Sequence, residues 1–293
     1  MAVTLLVGVA GHSWRDWLES RLSNRGLVVA DPAHAEYGAP GRVLRVVNRK
    51  IDSWRLVGTI DFLRNPVGWL SGIGELVEDG DVVVGPIVRD SPAARYSILA
   101  MAQLVGADQI LIPKGCFAED WGWPVGPEVV AVSTEFPDMV KDAQRRARWL
   151  ELIEDCQIHE IHLADVQMMG ARLGSGVRAE NEFGLGEVSG GTLHLVTREM
   201  VDEDMISRML DEFHVSKVSL VHPRSYHGLI CSFAHQNGAD FGMGVIKRFD
   251  ELRGVMEILN TAVVPAPVRI LKIGSFRVDS KGKEIGEQGP WTV

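Results

Sequence analysis

The chain is poor in cysteine: Cys116, Cys156 and Cys231 are far apart and odd in number among 293 residues. They form neither a disulfide framework nor a CxxC metal or redox pair, which fits a reducing compartment. Long apolar runs are missing as well. The opening MAVTLLVGVA lacks a basic lead and passes directly into polar His12 and Ser13, so it reads as a buried strand and not as a secretory leader. No run approaches the roughly 18 residues that crossing a bilayer takes. Positive charge is in deficit, with 30 Lys and Arg against 39 Asp and Glu and a net charge of −9. That argues against a protein that coats a duplex through bulk charge and leaves room only for a local basic patch. The expectation is a cytoplasmic protein with no membrane association.

What is present is the composition of a folded chain. Hydrophobic residues make up 46% and charged residues 24%, enough to bury a sizeable core, and the length suits two domains. Val3 to Val9 is a continuous apolar run, Trp14 to Leu22 suits a helix, and Leu27 to Ala30 is apolar again. This is the opening of a βαβ unit, and continuous apolar strands are what a parallel sheet covered on both faces needs. Asp81 to Val84 and Gln109 to Ile112 repeat the strand signal around a helix from Pro92 to Val105, with Leu99, Ala102 and Leu104 expected inward. A doubly wound sheet is predicted.

Pro137 to Glu154 reads as a helix with Lys141, Arg145, Arg146 and Arg148 on one side and Ala143, Ala147, Leu150 and Ile153 available to pack. A glycine-rich stretch from Gly170 to Gly191 follows, then a helix near Val201 to Phe213. Strands are expected at Gly228 to Phe233, Phe241 to Lys247, Gly254 to Leu259 and Val268 to Val278, separated by Asn237-Gly238, Asp250 to Arg253, and Pro265 and Pro267. The predicted domains are residues 1–155, α/β, and residues 156–293, small and β-rich.

The segment Gly8-Val9-Ala10-Gly11-His12-Ser13 stands between the first strand and the first helix. A phosphate-binding loop works because glycines let successive backbone amides face the phosphates, a lysine bridges the outer ones, and a Ser/Thr hydroxyl holds magnesium. Here the loop is two residues shorter than GxxxxGK[ST] and carries His12 in the lysine's place. A tight strand-to-helix turn without a ligand has the same glycines, so both readings stay open on the loop alone.

Read in order, Gly8 to Ser13, then Val28 to Gly41, then Leu56 to Phe62 resemble the polynucleotide 5′-hydroxyl-kinase family. That family includes archaeal RNA kinases and related subunits of eukaryotic RNA-processing complexes. Its DxGQxxxGxPG-like segment is matched by Asp31, Gly38, Pro40 and Gly41, with His34 replacing the glutamine. His227 to Phe233, Gly242 to Ile246 and Ile273 to Val278 are similar to its C-terminal strands, and Gln144 to Leu152 to its arginine-rich segment. The resemblance implies a P-loop-kinase-like parallel sheet with helices on both faces, followed by a small β-rich domain.

It further implies a nucleotide site at Gly8, Gly11, His12 and Ser13, with ATP and magnesium as cofactors. Asp31 would be the base toward a ribose 5′-hydroxyl, and Arg145, Arg146 and Arg148 would bind RNA phosphates. The departures point elsewhere. The lysine is absent, and where the family's magnesium-associated acid would fall, Val82-Val83-Val84 continues into Gly85-Pro86 with no aspartate before Asp90. Phosphoryl transfer rests on positioning and electrostatics, so a non-catalytic or weakly nucleotide-binding relative is expected, acting as a partner or scaffold for other protein subunits in a protein or RNA-processing assembly. An active ATP- and magnesium-dependent kinase is the alternative. In the plainer readings Asp31 starts a turn ahead of Pro32, and the arginines form a solvated helix face.

Other constellations carry less. His159 and His162 have HxxH spacing where a zinc protease needs HExxH, and no metal site is expected. Gly174-Ser175-Gly176 lacks the GxSxG elbow. The loop does not spell GxGxxG, although Asp31 falls where a ribose-binding acid of a dinucleotide fold would sit. The eight tryptophans, Trp14 to Trp291, read mainly as core, with Trp121-Gly122-Trp123-Pro124 the pair expected to meet a partner.

Overall fold

The computed structural model describes residues 2–22, 25–134, 137–154, 156–170, 173–174, 176–179, 182, 184–261 and 267–287. Ser175, Pro265 and Trp291 lie outside them. The chain divides into two compact units, residues 1–149 and 150–293.

In the first unit β1 (Val3–Leu6) leads through the glycine turn to β2 (His12–Ser13), α1 (Arg15–Arg21) and β3 (Leu27–Val29). A hairpin of β4 (Arg42–Val47) and β5 (Lys50–Leu56) follows, then α2 (Pro66–Leu76), β6 (Val82–Val84), α3 (Pro92–Leu104), β7 (Ala107–Pro113), β8 (Glu128–Val130), β9 (Ser133–Thr134) and α4 (Asp138–Glu154). The main sheet runs β5-β4-β3-β6-β1-β7-β8. Its strands β3, β6, β1, β7 and β8 are parallel, and the β4–β5 hairpin extends one side antiparallel. Every residue of β1 and β3 is buried, as continuous apolar strands require.

Both faces are covered. On one, Trp69 and Ile73 of α2 and Ile98 and Met101 of α3 pack with Leu5, Val28 and Val83. Asn65 and Ser91 cap these helices by accepting the Gly68 and Ala94 amides, each with proline in the first turn. On the other face Trp14 and half-buried Trp17 and Leu18 cover Leu6, Leu27, Val29, Leu44 and Val46. In α3 the inward residues are Ala94, Ile98, Met101 and Ala102, whereas Leu104, expected inside, is exposed. Its side chain turns toward Gly74 of α2, while Met101, Ala102 and Val105 on either side of it face the core.

The second unit contains β10 (Gln157–His162), β11 (Gln167–Met169), β12 (Val177–Ala179), β13 (Leu185–Ser189), β14 (Thr192–Val196), α5 (Glu203–Glu212), β15 (Lys217–Val221), β16 (Leu229–Ala234), β17 (Asp240–Asp250), β18 (Val255–Asn260), β19 (Ile270–Val278) and β20 (Glu284–Glu287). One sheet runs β10-β18-β17-β16-β19-β11 with β20 beside β19, and a second runs β12-β13-β14-β15. Pairing is antiparallel except for β11–β19 and β14–β15, the latter joined through α5 as a parallel crossover demands. Within the larger sheet the Asp240 carboxylate is wholly buried, accepting from Ser232 Oγ at 2.5 Å and from Lys272 Nζ at 2.9 Å. His159 and His162 lie on the edge strand β10. Among the described residues no cluster of three metal-ligating side chains occurs, and no helix is long and apolar enough to cross a membrane.

Candidate functional site

Gly8 to Ser13 follows β1, the middle strand of the parallel set, at the carboxyl edge where open α/β sheets collect ligands. A phosphate cradle would bend here and aim its amides outward. This loop runs on as sheet. Val9 bridges Val88 in parallel, the Ala10 amide donates to Val88 O at 3.1 Å, and the Val88 amide donates to Gly8 O at 3.3 Å. The His12 amide closes a turn onto Val9 O at 3.1 Å, and β2 then pairs with β9, His12 opposite Thr134 and Ser13 opposite Ser133.

The two glycines have separate tasks. A Cβ on Gly8 would stand 2.6 Å from the carbonyl oxygen of Gly85 and closer still to that of Pro86, so Gly8 makes room for the chain's own 85–86 backbone. Gly11 sits at φ +85° with open space around it, a left-handed turn that favours glycine. His12 places Nδ1 3.2 Å from Ala10 O, and the Ser13 hydroxyl accepts from the Arg15 amide at 3.3 Å. Helix α1 has only seven residues and no side-chain cap bond, so little helix dipole stands behind the loop.

Two indoles close the same edge. Trp14 Nε1 donates to Val7 O at 2.8 Å, and Trp69 Nε1 donates to Ala30 O at 2.6 Å, with both rings buried. The carbonyls that end β1 and β3 are thus capped by side chains of the protein itself, which satisfies groups that would be costly to leave unbonded. Sequence reading missed Trp14, Trp69 and the Gly85–Val88 strap as parts of this edge. The available signals were a tryptophan directly after Ser13 and Gly85-Pro86 in the place of an acid.

Asp31 lies just beyond β3. Its half-buried carboxylate accepts the Ala33 amide at 2.9 Å and also the amide of Ile87, so it ties its own turn to the strap. Burial pushes its pKa up, against the pull of those amides and of His34 and Lys141. Burial holds the neighbouring His34 below its ordinary value, against the pull of Asp31. A carboxyl raised in the fold contributes stability that is full below its unfolded pKa, 3.8, and lost as pH rises through the folded value. Asp31→Asn keeps an acceptor for the amides and removes the buried charge. The variant is expected to melt above the parent near neutral pH, the gap closing as the solution is acidified, which thermal melts across the acid range check.

The acid that adjoins β6 is at the wrong end of the strand for a metal site at the loop. Asp81, just before the strand, is buried and held by Arg45 Nε at 2.8 Å, while exposed Asp90 stands beyond the strap. The three arginines of α4 are divided. Arg148 donates to Ala35 O at 2.9 Å and Glu36 O at 3.0 Å, Arg145 pairs with Asp142 at 2.7 Å, and Arg146 is exposed. Ala143 and Ala147, expected to pack, face solvent, whereas Lys141, Arg145 and Arg148 are half-buried and Trp149 is buried. The helix is rotated from its expected setting, with fully buried Trp149 and the Arg148 bonds to backbone carbonyls on its inner side. Trp121, expected to meet a partner, is buried, and Trp123 stacks on it with Nε1 donating to Ala118 O at 2.9 Å.

No protein-family model and no curated protein sequence matches this chain. Sheet order, helices on both faces and the β-rich second unit define an α/β protein of the P-loop-kinase-like class. The particular likeness is to solved structures of Clp1p with Pcf11p. A wild-type Clp1p–Pcf11p complex matches with a TM-score of 0.56 at 11% identity, over 94% of this chain and 74% of that one. A structure describing an extended Pcf11p–Clp1p interface and the basis of ATP loss in a point mutant matches with a TM-score of 0.53 at 12% identity, over the same shares of the two chains. Identities this low speak for the fold alone.

Proposed function

We propose that this chain is a non-catalytic relative of the polynucleotide 5′-hydroxyl kinases and acts as a partner or scaffold in a protein or RNA-processing assembly. One observation carries the reading: the space beside Gly8, where a phosphate would approach the loop, is taken by the backbone of Gly85 and Pro86. The amides of Ala10 and His12 are bonded within the chain, the loop's own residues include no lysine, and the acid near β6 is committed to Arg45. Binding the phosphates of ATP would require breaking the parallel bridge of Val9 to Val88 and reopening the strap. Asp31 acts as a clamp between two loops in this reading, and Arg148 as a brace for the 35–36 backbone.

Calorimetric titration with magnesium-ATP, run beside a phosphate-transfer assay on a 5′-hydroxyl oligonucleotide, tests this. The expected result is no heat of binding at millimolar nucleotide and no transferred phosphate. Binding with transfer would establish the active kinase instead. Binding without transfer would mean that the strap opens, which relocates the defect to the missing lysine.

A further inference from the structure

The α1 side of the first unit carries an aromatic and basic face. Trp17, Tyr37 and Trp54 are half-buried against the same cluster of Leu27, Val29, Leu44 and Val46. Each tryptophan carries a guanidinium: Arg21 Cζ lies 6.0 Å from the centre of the Trp17 ring and Arg42 Cζ 5.1 Å from that of Trp54. A third cation, exposed Arg49 at the β4–β5 turn, acts electrostatically on the Tyr37 hydroxyl.

Among the described residues none of these three arginines is in an ion pair, in a chain that otherwise couples Arg15, Arg45, Arg55 and Arg145 to carboxylates. Arg42 donates Nη2 to Tyr37 O at 3.1 Å while its Nε is buried without a hydrogen-bond partner. Burial brings its pKa down to about 10, and a half-buried cation without a counter-ion gains from a carboxylate that supplies one. Arg49 holds φ +64°, the second left-handed position of the two-residue β4–β5 turn, which presents its side chain at the end of the hairpin. The acid acting on Tyr37 is exposed Glu36, which stands 3.7 Å from His34.

We propose that this face docks an acidic segment of a partner protein, its carboxylates meeting Arg21, Arg42 and Arg49 and its apolar side chains meeting Trp17, Tyr37 and Trp54. The inference rests on the partner reading of the chain. Tryptophan, tyrosine and arginine are the residues that dominate binding energy at protein interfaces, and unpaired guanidiniums match carboxylates in planar, two-point geometry. A single-stranded nucleic acid would instead stack bases on open ring faces. Here guanidiniums already stand over both indoles.

Poly-L-glutamate is the probe, with oligouridylate and magnesium-ATP as parallel arms. Binding is followed by tryptophan fluorescence, and arginine exposure by phenylglyoxal labelling and mass spectrometry. Polyglutamate is expected to shield Arg21 and Arg49 while Arg64 and Arg89 stay reactive, and Arg42→Gln is expected to weaken binding about tenfold, the scale of one charge-assisted bond. Arg49→Gln, at an exposed turn, serves as the second variant and keeps the test valid if Arg42→Gln melts early. Uniform shielding, no shielding, or shielding by oligouridylate alone overturns the proposal. ATP binding would instead defeat the closed-loop reading while leaving the arginine result to stand or fall by itself.

Discussion

Gly8→Ala is expected to unfold the first unit more readily by about 2–3 kcal/mol, the upper range for forcing atoms into a packed site. The added methyl meets carbonyl oxygens of Gly85 and Pro86, and backbone yields less easily than a flexible side chain. A loss of that size lowers the melting temperature by roughly 5–10 °C in a unit of this length. The same substitution in an open phosphate cradle would chiefly impair ligand binding. Melting curves with and without magnesium-ATP separate the two cases. The closed edge predicts a large drop that nucleotide does not alter, and a small drop with a nucleotide-dependent shift would show that the glycine serves a ligand.

Lys272→Met is expected to destabilise the second unit by about 3–5 kcal/mol, because it removes the ammonium group that pairs with the fully buried Asp240 carboxylate. Ser232 still donates to that carboxylate, but a neutral hydroxyl does not replace an ammonium group. The double variant with Asp240→Asn is expected to regain about half of the loss, since breaking a buried pair costs far more than replacing both members. Urea unfolding of the three proteins measures this, read as midpoints at constant slope. If Lys272→Met alone left the midpoint in place, the buried pair would not be holding β16, β17 and β19 together.

Much of the fold was legible where hydrophobicity runs without interruption. The buried strand at Val3–Leu6 and the helix at Pro92–Leu104 announce themselves, and so do the C-terminal strands, because their apolar residues outnumber every competing signal. The β4–β5 hairpin was missed for a local reason. Its turn puts Asn48 and Arg49 at positive φ, and a reader looks for Asn-Gly in that place. Helix α2 was hidden by Gly68, Gly72 and Gly74 in eleven residues, a composition that lowers helix propensity. Gly72 is there because a Cβ would press on Val43 and Arg55.

At the site, sequence disclosed what the loop lacks but not what fills it. Absence of the lysine and of an acid after β6 is plain in the residues. That Gly8 faces Gly85 and Pro86 depends on parallel pairing between segments more than seventy residues apart, and no local pattern reports it. The rotation of α4 was hidden likewise, since the acceptors of Arg148 are the backbone carbonyls of Ala35 and Glu36, which have no sequence signature.

The position of β1 also has a consequence during synthesis. β1, which is made before either of its partners, lies at the centre of the parallel set, bonded on one side to β6 and on the other to β7. Neither neighbour exists until residues 82–84 and 107–113 have been made. At about 5–20 residues per second the segment VTLL waits several seconds unpaired, an apolar stretch of the kind that chaperones protect. The pairing of His12 and Ser13 with Ser133 and Thr134 must come later still. Closure of the carboxyl edge is therefore a late, long-range event with a slow entropic step, and a nascent chain halted before residue 107 has a first strand with one flank exposed.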